Sequence, residues 1–223
     1  EEMDGPGTGE TDAMAMLQSL AADNTVLGPV LPIFRAEEIL RRADRQGAIQ
    51  ALDGFDESKI TDPSLKLLVV YLYDRMDVPE LGERRDAILL EMSKSPPQAA
   101  QSTLQLATRY WADGRLRNSL EVLSAYYDRN PDDAQITIIS ALVAQTIEDE
   151  SLDAWMGNLK KQRLRSDLSI SDRDQVRVAI RLLEMSQAGI LAREEINEQF
   201  ANMGRWFRDS PMMTMMGDLA SRA

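Results

Sequence analysis

Between residues 100 and 133 the apolar positions recur at helical spacing. Leu104, Ala107 and Trp111 stand at i, i+3 and i+7, with Tyr110 alongside, which predicts a helix with one buried stripe. Leu116, Leu120, Leu123 and Tyr127 repeat the pattern and predict a second helix. Asp113-Gly114 supplies the turn between them, because glycine tolerates positive φ. Asn130-Pro131 closes the pair, since proline cannot continue a helix interior.

The same layout returns along the chain. Pro63, Pro97 and Pro131 are spaced 34 residues apart, each in a polar break: "KITDPSL", "SKSPPQA" and "DRNPDDA". Two helix-like segments fit between successive breaks, which sets units near 32–65, 66–99, 100–133 and 134–167. The first retains Ala51, Phe55 and Pro63, and the fourth keeps Ala141 and Ala144 with a second helix around Leu152, Trp155 and Leu159. Residues 171–209 predict a longer helix pair turning at Gly189. A lone helix pair cannot cover its apolar faces, so stacked pairs share their burial.

The unit at 100–133 resembles a tetratricopeptide repeat (TPR), a 34-residue antiparallel helix pair. The likeness rests on Leu106, Ala107 and Tyr110, on Gly114 in the turn, on Ser119, Leu123 and Tyr126 in the second helix, and on the closing Pro131. Thr103 departs from it where the family has Trp, and Tyr126 is large where Ala is usual. In unit 66–99, Tyr73 and Arg85 occupy positions that favour small residues. The resemblance implies an all-α fold, a right-handed α-solenoid of TPR-like antiparallel helix pairs. It also implies that first helices line a concave face. The inward positions would be Leu67, Val70 and Asp74, then Gln101, Leu104, Thr108 and Trp111, then Gln135, Ile138, Leu142 and Gln145. Amides mixed with aliphatic residues and a Trp suit capture of a partner's helix or extended peptide. The family's carboxylate clamp needs Lys and Asn where this chain has Leu104, Thr108 and Ile139, which argues against a chaperone-tail adaptor.

Composition agrees with helices. Of the 223 residues, 43% are hydrophobic and only 5% aromatic, and long β-branched alternation is rare. The net charge of −12 disfavours nucleic acid and anionic membrane surfaces as partners. No cysteine or histidine is present, which removes thiol chemistry, the commonest general base and the commonest metal ligand. The expectation is therefore a non-enzymatic scaffold or adaptor without a cofactor. No apolar run reaches the ~18 residues of a membrane span. The chain begins with Glu1, so a removed signal or anchor stays open. An Arg-rich, Lys-poor basic set favours a bacterial protein of the periplasm or cytoplasm, serving envelope or secretion-system assembly. A eukaryotic trafficking-complex subunit is the alternative within that class. A helical metal-binding protein using carboxylates or methionines is the rival from another class.

Four stretches invite chemistry. "GPGTGET" at 5–11 imitates a phosphate-binding loop, but Glu10 stands where the lysine should be and Asp4 where the opening glycine should be. Residues 1–12 hold five acidic residues and no basic one, the pattern of a disordered acidic tail. The apolar segment 13–31 after it is suited to packing on the repeats. In "SPMMTMMGD", Met212, Met215, Met216 and Leu219 share one helical face, which predicts a capping helix at 211–223 rather than a Cu(I) site. Glu148, Asp149, Glu150 and Asp153 read as a helix entry rather than a calcium loop. Lys160, Lys161, Arg163 and Arg165 read as a helix end answering the dipole, with an acidic peptide or a lipid headgroup as the functional alternative.

Overall fold

The computed structural model describes residues 28–192 together with Ala15, Met16, Ser19, Glu195, Glu198 and Gln199. The tail expected at 1–12, most of segment 13–31 and the Met-bearing helix at 211–223 lie outside the described residues. Among the described residues the fold is all-α, with nine α-helices, two 3-10 turns and no strand. The chain divides into two compact units, Glu1–Glu91 and Met92–Ala223.

In the first unit a 3-10 turn at Gly28–Val30 leads into α1 (Leu31–Arg41). Ile33, Ala36 and Leu40 recur at i, i+3 and i+7 and are buried, while Glu37–Arg41 and Glu38–Arg42 pair along the flank. Asp44 opens α2 (Arg45–Ala51), its carboxylate accepting from the Gly47 N–H at 2.8 Å. A Cβ at Gly47 would stand 2.2 Å from Asp44 Oδ2, so only glycine lets the cap close. A second 3-10 turn, Glu57–Lys59, precedes α3 (Pro63–Met76). Asp62 caps α3 through the N–H groups of Ser64 and Leu65. Helices α1, α2 and α3 pack against one another.

Pro63 sits in the first turn of α3 rather than closing a repeat. The physical reason is that a missing N–H costs nothing at a helix start and the ring presets φ. After a left-handed Asp77, α4 (Pro79–Met92) begins. Backbone approach between α3 and α4 is sparser than between α1 and α2 or between the consecutive helices from α5 to α9. Side chains span the gap: Arg85 reaches Asp74 at 3.0 Å and Lys66 reaches Glu91 at 2.7 Å. Tyr73 and Arg85, large where the repeat pattern favours small residues, fit this wider spacing.

The second unit holds α5 (Ala99–Ala112), α6 (Leu116–Tyr127), α7 (Ala134–Thr146), α8 (Leu152–Arg163) and α9 (Ile170–Gln187). Each packs on the next in sequence, and α7 also packs on α9. Gly114 makes the α5–α6 turn at φ +71°, as the sequence predicts; Gly189 follows α9 at φ +68°, and most of the second helix expected up to residue 209 lies outside the described residues. Ser119 Oγ donates to the Ala107 carbonyl at 2.9 Å, a close approach that these two small residues permit.

Two details differ from the expected stripes. On α5 the fully buried residues are Ser102, Thr103, Leu106 and Ala107, while Leu104, Tyr110 and Trp111 are half-buried. On α6 Ser119, Leu120, Leu123 and Tyr126 are buried, and Leu116 and Tyr127 are half-buried. Both faces are turned slightly toward their small residues, because helices approach closest where side chains are short. α7 has no polar face: from Ile136 to Gln145 every residue is buried. A helix apolar all round must be covered on every side. α6, α8 and α9 all pack on it. On α9, Val176, Ala179, Ile180 and Leu183 form the buried stripe.

Candidate functional site

The eleven expected binding residues fall on three helices in two units. α3 carries Leu67 and Asp74, both half-buried, and Val70, which is buried. Asp74 is engaged by Arg85. α5 carries Gln101, which is exposed, and Leu104, Thr108 and Trp111, which are half-buried. Their spacing puts all four on one face of α5. Leu104 and Trp111 rest against the core of the second unit with part of each side chain left outside it.

On α7 the outcome is different. Gln135 is half-buried at the helix start, but Ile138, Leu142 and Gln145 belong to the interior. Ile138 and Leu142 are each 1% exposed, too little to meet a partner. The cause is non-local: α9 packs on α7, and Gln145 Nε2 donates to Ser186 Oγ of α9 at 3.3 Å. Gln145 Oε1 has no partner among the described residues. By contrast α5 and α7 make little backbone contact, which fits the partial exposure of the corresponding row on α5.

The acidic run forms the α7–α8 connection. Glu148 adopts a left-handed φ of 54°, and Asp149 Oδ1 accepts from the Ser151 N–H at 2.9 Å. The hydrogen bonds to Ser151 hold the Asp149 carboxyl below its ordinary range. This is a helix entry, as its sequence suggests. Lys160, Lys161 and Arg163 lie in the last turn of α8. Arg165 follows and pairs with Asp132 at 2.8 Å and Asp167 at 2.6 Å.

A half-buried polar cluster in the first unit was not singled out by sequence. In the first unit Glu57 Oε1 accepts from Tyr73 Oη at 2.5 Å and from Arg84 Nε at 2.6 Å. Arg84 also donates to the Phe55 carbonyl at 2.6 Å and lies over the Tyr73 ring, 5.4 Å from its centroid. Burial pushes the Glu57 carboxyl up, but the hydrogen bonds from Arg84 and Tyr73 outweigh it and hold the group below its ordinary value. Burial, then the Glu57 hydrogen bond, pushes the Tyr73 phenol well above its ordinary value. Glu57 thus stays charged and Tyr73 stays protonated at neutral pH. Such an arrangement joins elements and offers no proton near neutrality.

Sequence reasoning also missed Leu164 and Ile170, which flank the α8–α9 loop and are 79% and 81% exposed. Their signal was the alternation of aliphatic with charged and hydroxyl residues in "RLRSDLSIS". Among the described residues no group of acidic side chains gathers to hold a metal ion. No helix among them is long and apolar enough to cross a membrane. Compared with known proteins, the chain matches no family model, no curated protein and no solved structure.

Proposed function

We propose that the chain is a TPR-like, right-handed α-solenoid acting as a non-enzymatic adaptor that captures a peptide or helix of a partner protein. One observation carries this reading. In the second unit the helices stack in chain order, and the row on α5 from Gln101 to Trp111 is left incompletely covered while the matching row on α7 is buried. Leu104 and Trp111 would supply apolar contact area, and Gln101 and Thr108 would pair with a partner's backbone. A half-buried Trp is already held by its neighbours, so little side-chain freedom is lost when a partner covers it. Val70 lies in the interior of the first unit and Ile138, Leu142 and Gln145 in that of the second, so these four take no direct part in capture. An envelope or secretion-assembly setting in a bacterium remains the proposed context, on the Arg-rich basic set alone.

The test is affinity capture from the native lysate with the full chain and with a Leu104→Ala/Trp111→Ala variant, both shown folded by circular dichroism. A partner held by the wild type and lost by the folded variant is the expected result. Identical capture by both proteins moves the contact surface off α5 and overturns this assignment.

A further inference from the structure

The α8–α9 corner pairs exposed aliphatic side chains with unneutralised cations. Leu164 caps the C-terminus of α8, and Ile170 is the first residue of α9. They are the two most exposed large hydrophobic side chains among the described residues. Packed helices run about 8–10 Å apart, so the two side chains stand at neighbouring feet of one loop.

Their exposure is not the result of a slack connection. Arg165 Nη1 donates to the Asp132 carbonyl at 2.7 Å and to Gln162 Oε1 at 3.0 Å. Arg173 donates to the Arg165 carbonyl at 3.1 Å. Ser169 Oγ accepts from the Asp172 N–H at 3.0 Å, fixing the start of α9. Leu168, between the two exposed residues, packs against the core. The loop rests one of its aliphatic residues, half-buried, against the core and presents two.

The surrounding charges can be followed individually. Lys160 is paired with Glu184 at 3.3 Å, and Arg165 with Asp132 and Asp167. Lys161 and Arg163 are exposed and have no ion-pair partner among the described residues. The C-terminal dipole of α8 is equivalent to roughly half a negative charge, so it offsets only part of these two cations. In a chain of net charge −12, this leaves a positive spot beside an apolar one.

We propose that this corner docks an acidic segment of a partner protein that carries aliphatic side chains, with carboxylates on Lys161 and Arg163 and aliphatic groups on Leu164 and Ile170. A protein segment fits better than an anionic bilayer. A membrane surface meets the field of the whole acidic chain, whereas a short segment meets only what lies within about 8–10 Å of it. The proposal concerns a different surface from α5 and stands independently of it.

The experiment uses the full chain and short labelled peptides of Glu-Glu-Leu or Gln-Gln-Leu repeats, read by fluorescence anisotropy at low and high salt. Two double variants, Lys161→Glu/Arg163→Glu and Leu164→Ser/Ile170→Ser, alter exposed side chains, and circular dichroism checks that they fold. The Glu-Glu-Leu peptide should bind the wild type, with salt sensitivity, and each variant at least about tenfold more weakly. The Gln-Gln-Leu peptide should bind no better than the variants do. Equal binding to wild type and variants, or no binding of the Glu-Glu-Leu peptide, overturns the proposal. So does flotation of the wild type with phosphatidylglycerol vesicles in the absence of peptide binding, which assigns the corner to lipid. Concentration-dependent dimerisation abolished by the Leu164→Ser/Ile170→Ser variant assigns it instead to a second copy.

Discussion

Tyr73 and Leu142 are both buried between helices, yet they hold their neighbours by different means. Around Tyr73, in the first unit, contact depends on an oriented network: Glu57 accepts from the phenol and from Arg84, and Arg85 and Lys66 reach carboxylates across the gap between α3 and α4. Around Leu142, in the second unit, α7 is buried mainly among apolar side chains. The first arrangement needs particular atoms in particular protonation states. The second needs only area removed from water. The two halves should therefore fail under different conditions, which is where the comparison can be tested.

The largest effect should come from Leu142→Ala. Truncating a fully buried Leu costs about 2–5 kcal/mol, the spread reflecting how far the cavity relaxes. Hydrogen exchange followed by mass spectrometry should show protection lost across 134–163, with the peptides of α1 to α3 unchanged. Equal loss in both units would break the contrast, because it would mean they unfold as one.

A smaller effect, in the opposite unit, should follow Glu57→Ala. The Tyr73 phenol is fully buried and would lose its acceptor. A buried donor left unsatisfied costs about 1–3 kcal/mol, and Arg84, being half-exposed, adds little because water can replace its partner. The pH dependence has a definite sign. The folded-state pKa of Glu57 lies below its ordinary value, so its contribution is present above that value and is lost as pH falls through the depressed one. Acidification below about pH 4 should loosen 57–92 in the wild type. In Glu57→Ala that part of the acid response should be missing. If wild type and variant respond alike, the network does not hold the first unit together.

The smallest predicted change is Gly114→Ala. Nothing lies within 4 Å of a Cβ built there, so only the left-handed backbone opposes the substitution. The expected cost is about 1 kcal/mol, seen as faster exchange in 99–127 alone. A change in the first unit would show that strain passes between the two.

The α5–α6 and α7–α8 pairs were legible because their signals are local. Polar breaks, Gly114 and Gly189, and the apolar spacing of α5 to α9 each act within a few residues. The row from Gln101 to Trp111 was marked by the likeness to the repeat family, and its helical spacing agrees with a single face. The burial of Ile138, Leu142 and Gln145 was not legible, because it depends on α9 returning to α7 from more than thirty residues away. A warning was present in "ITIISALVA", which has no polar face to leave in water. Tyr73 and Arg85 were visible as departures from the expected repeat pattern. Their polar partners were not, since Glu57 and Asp74 are ordinary acidic residues until the fold brings them near.

The all-round burial of α7 also has a consequence in time. A growing chain emerges N-terminus first, so Thr146 is made roughly 40 residues before Gln187, an interval of about 2–8 s at ~5–20 residues per second. During those seconds α6 and then α8 can cover parts of α7, but α9 does not yet exist in full. The most water-averse helix among the described residues must wait for its last neighbours. This makes α7, while synthesis is under way, the segment most in need of a chaperone's attention.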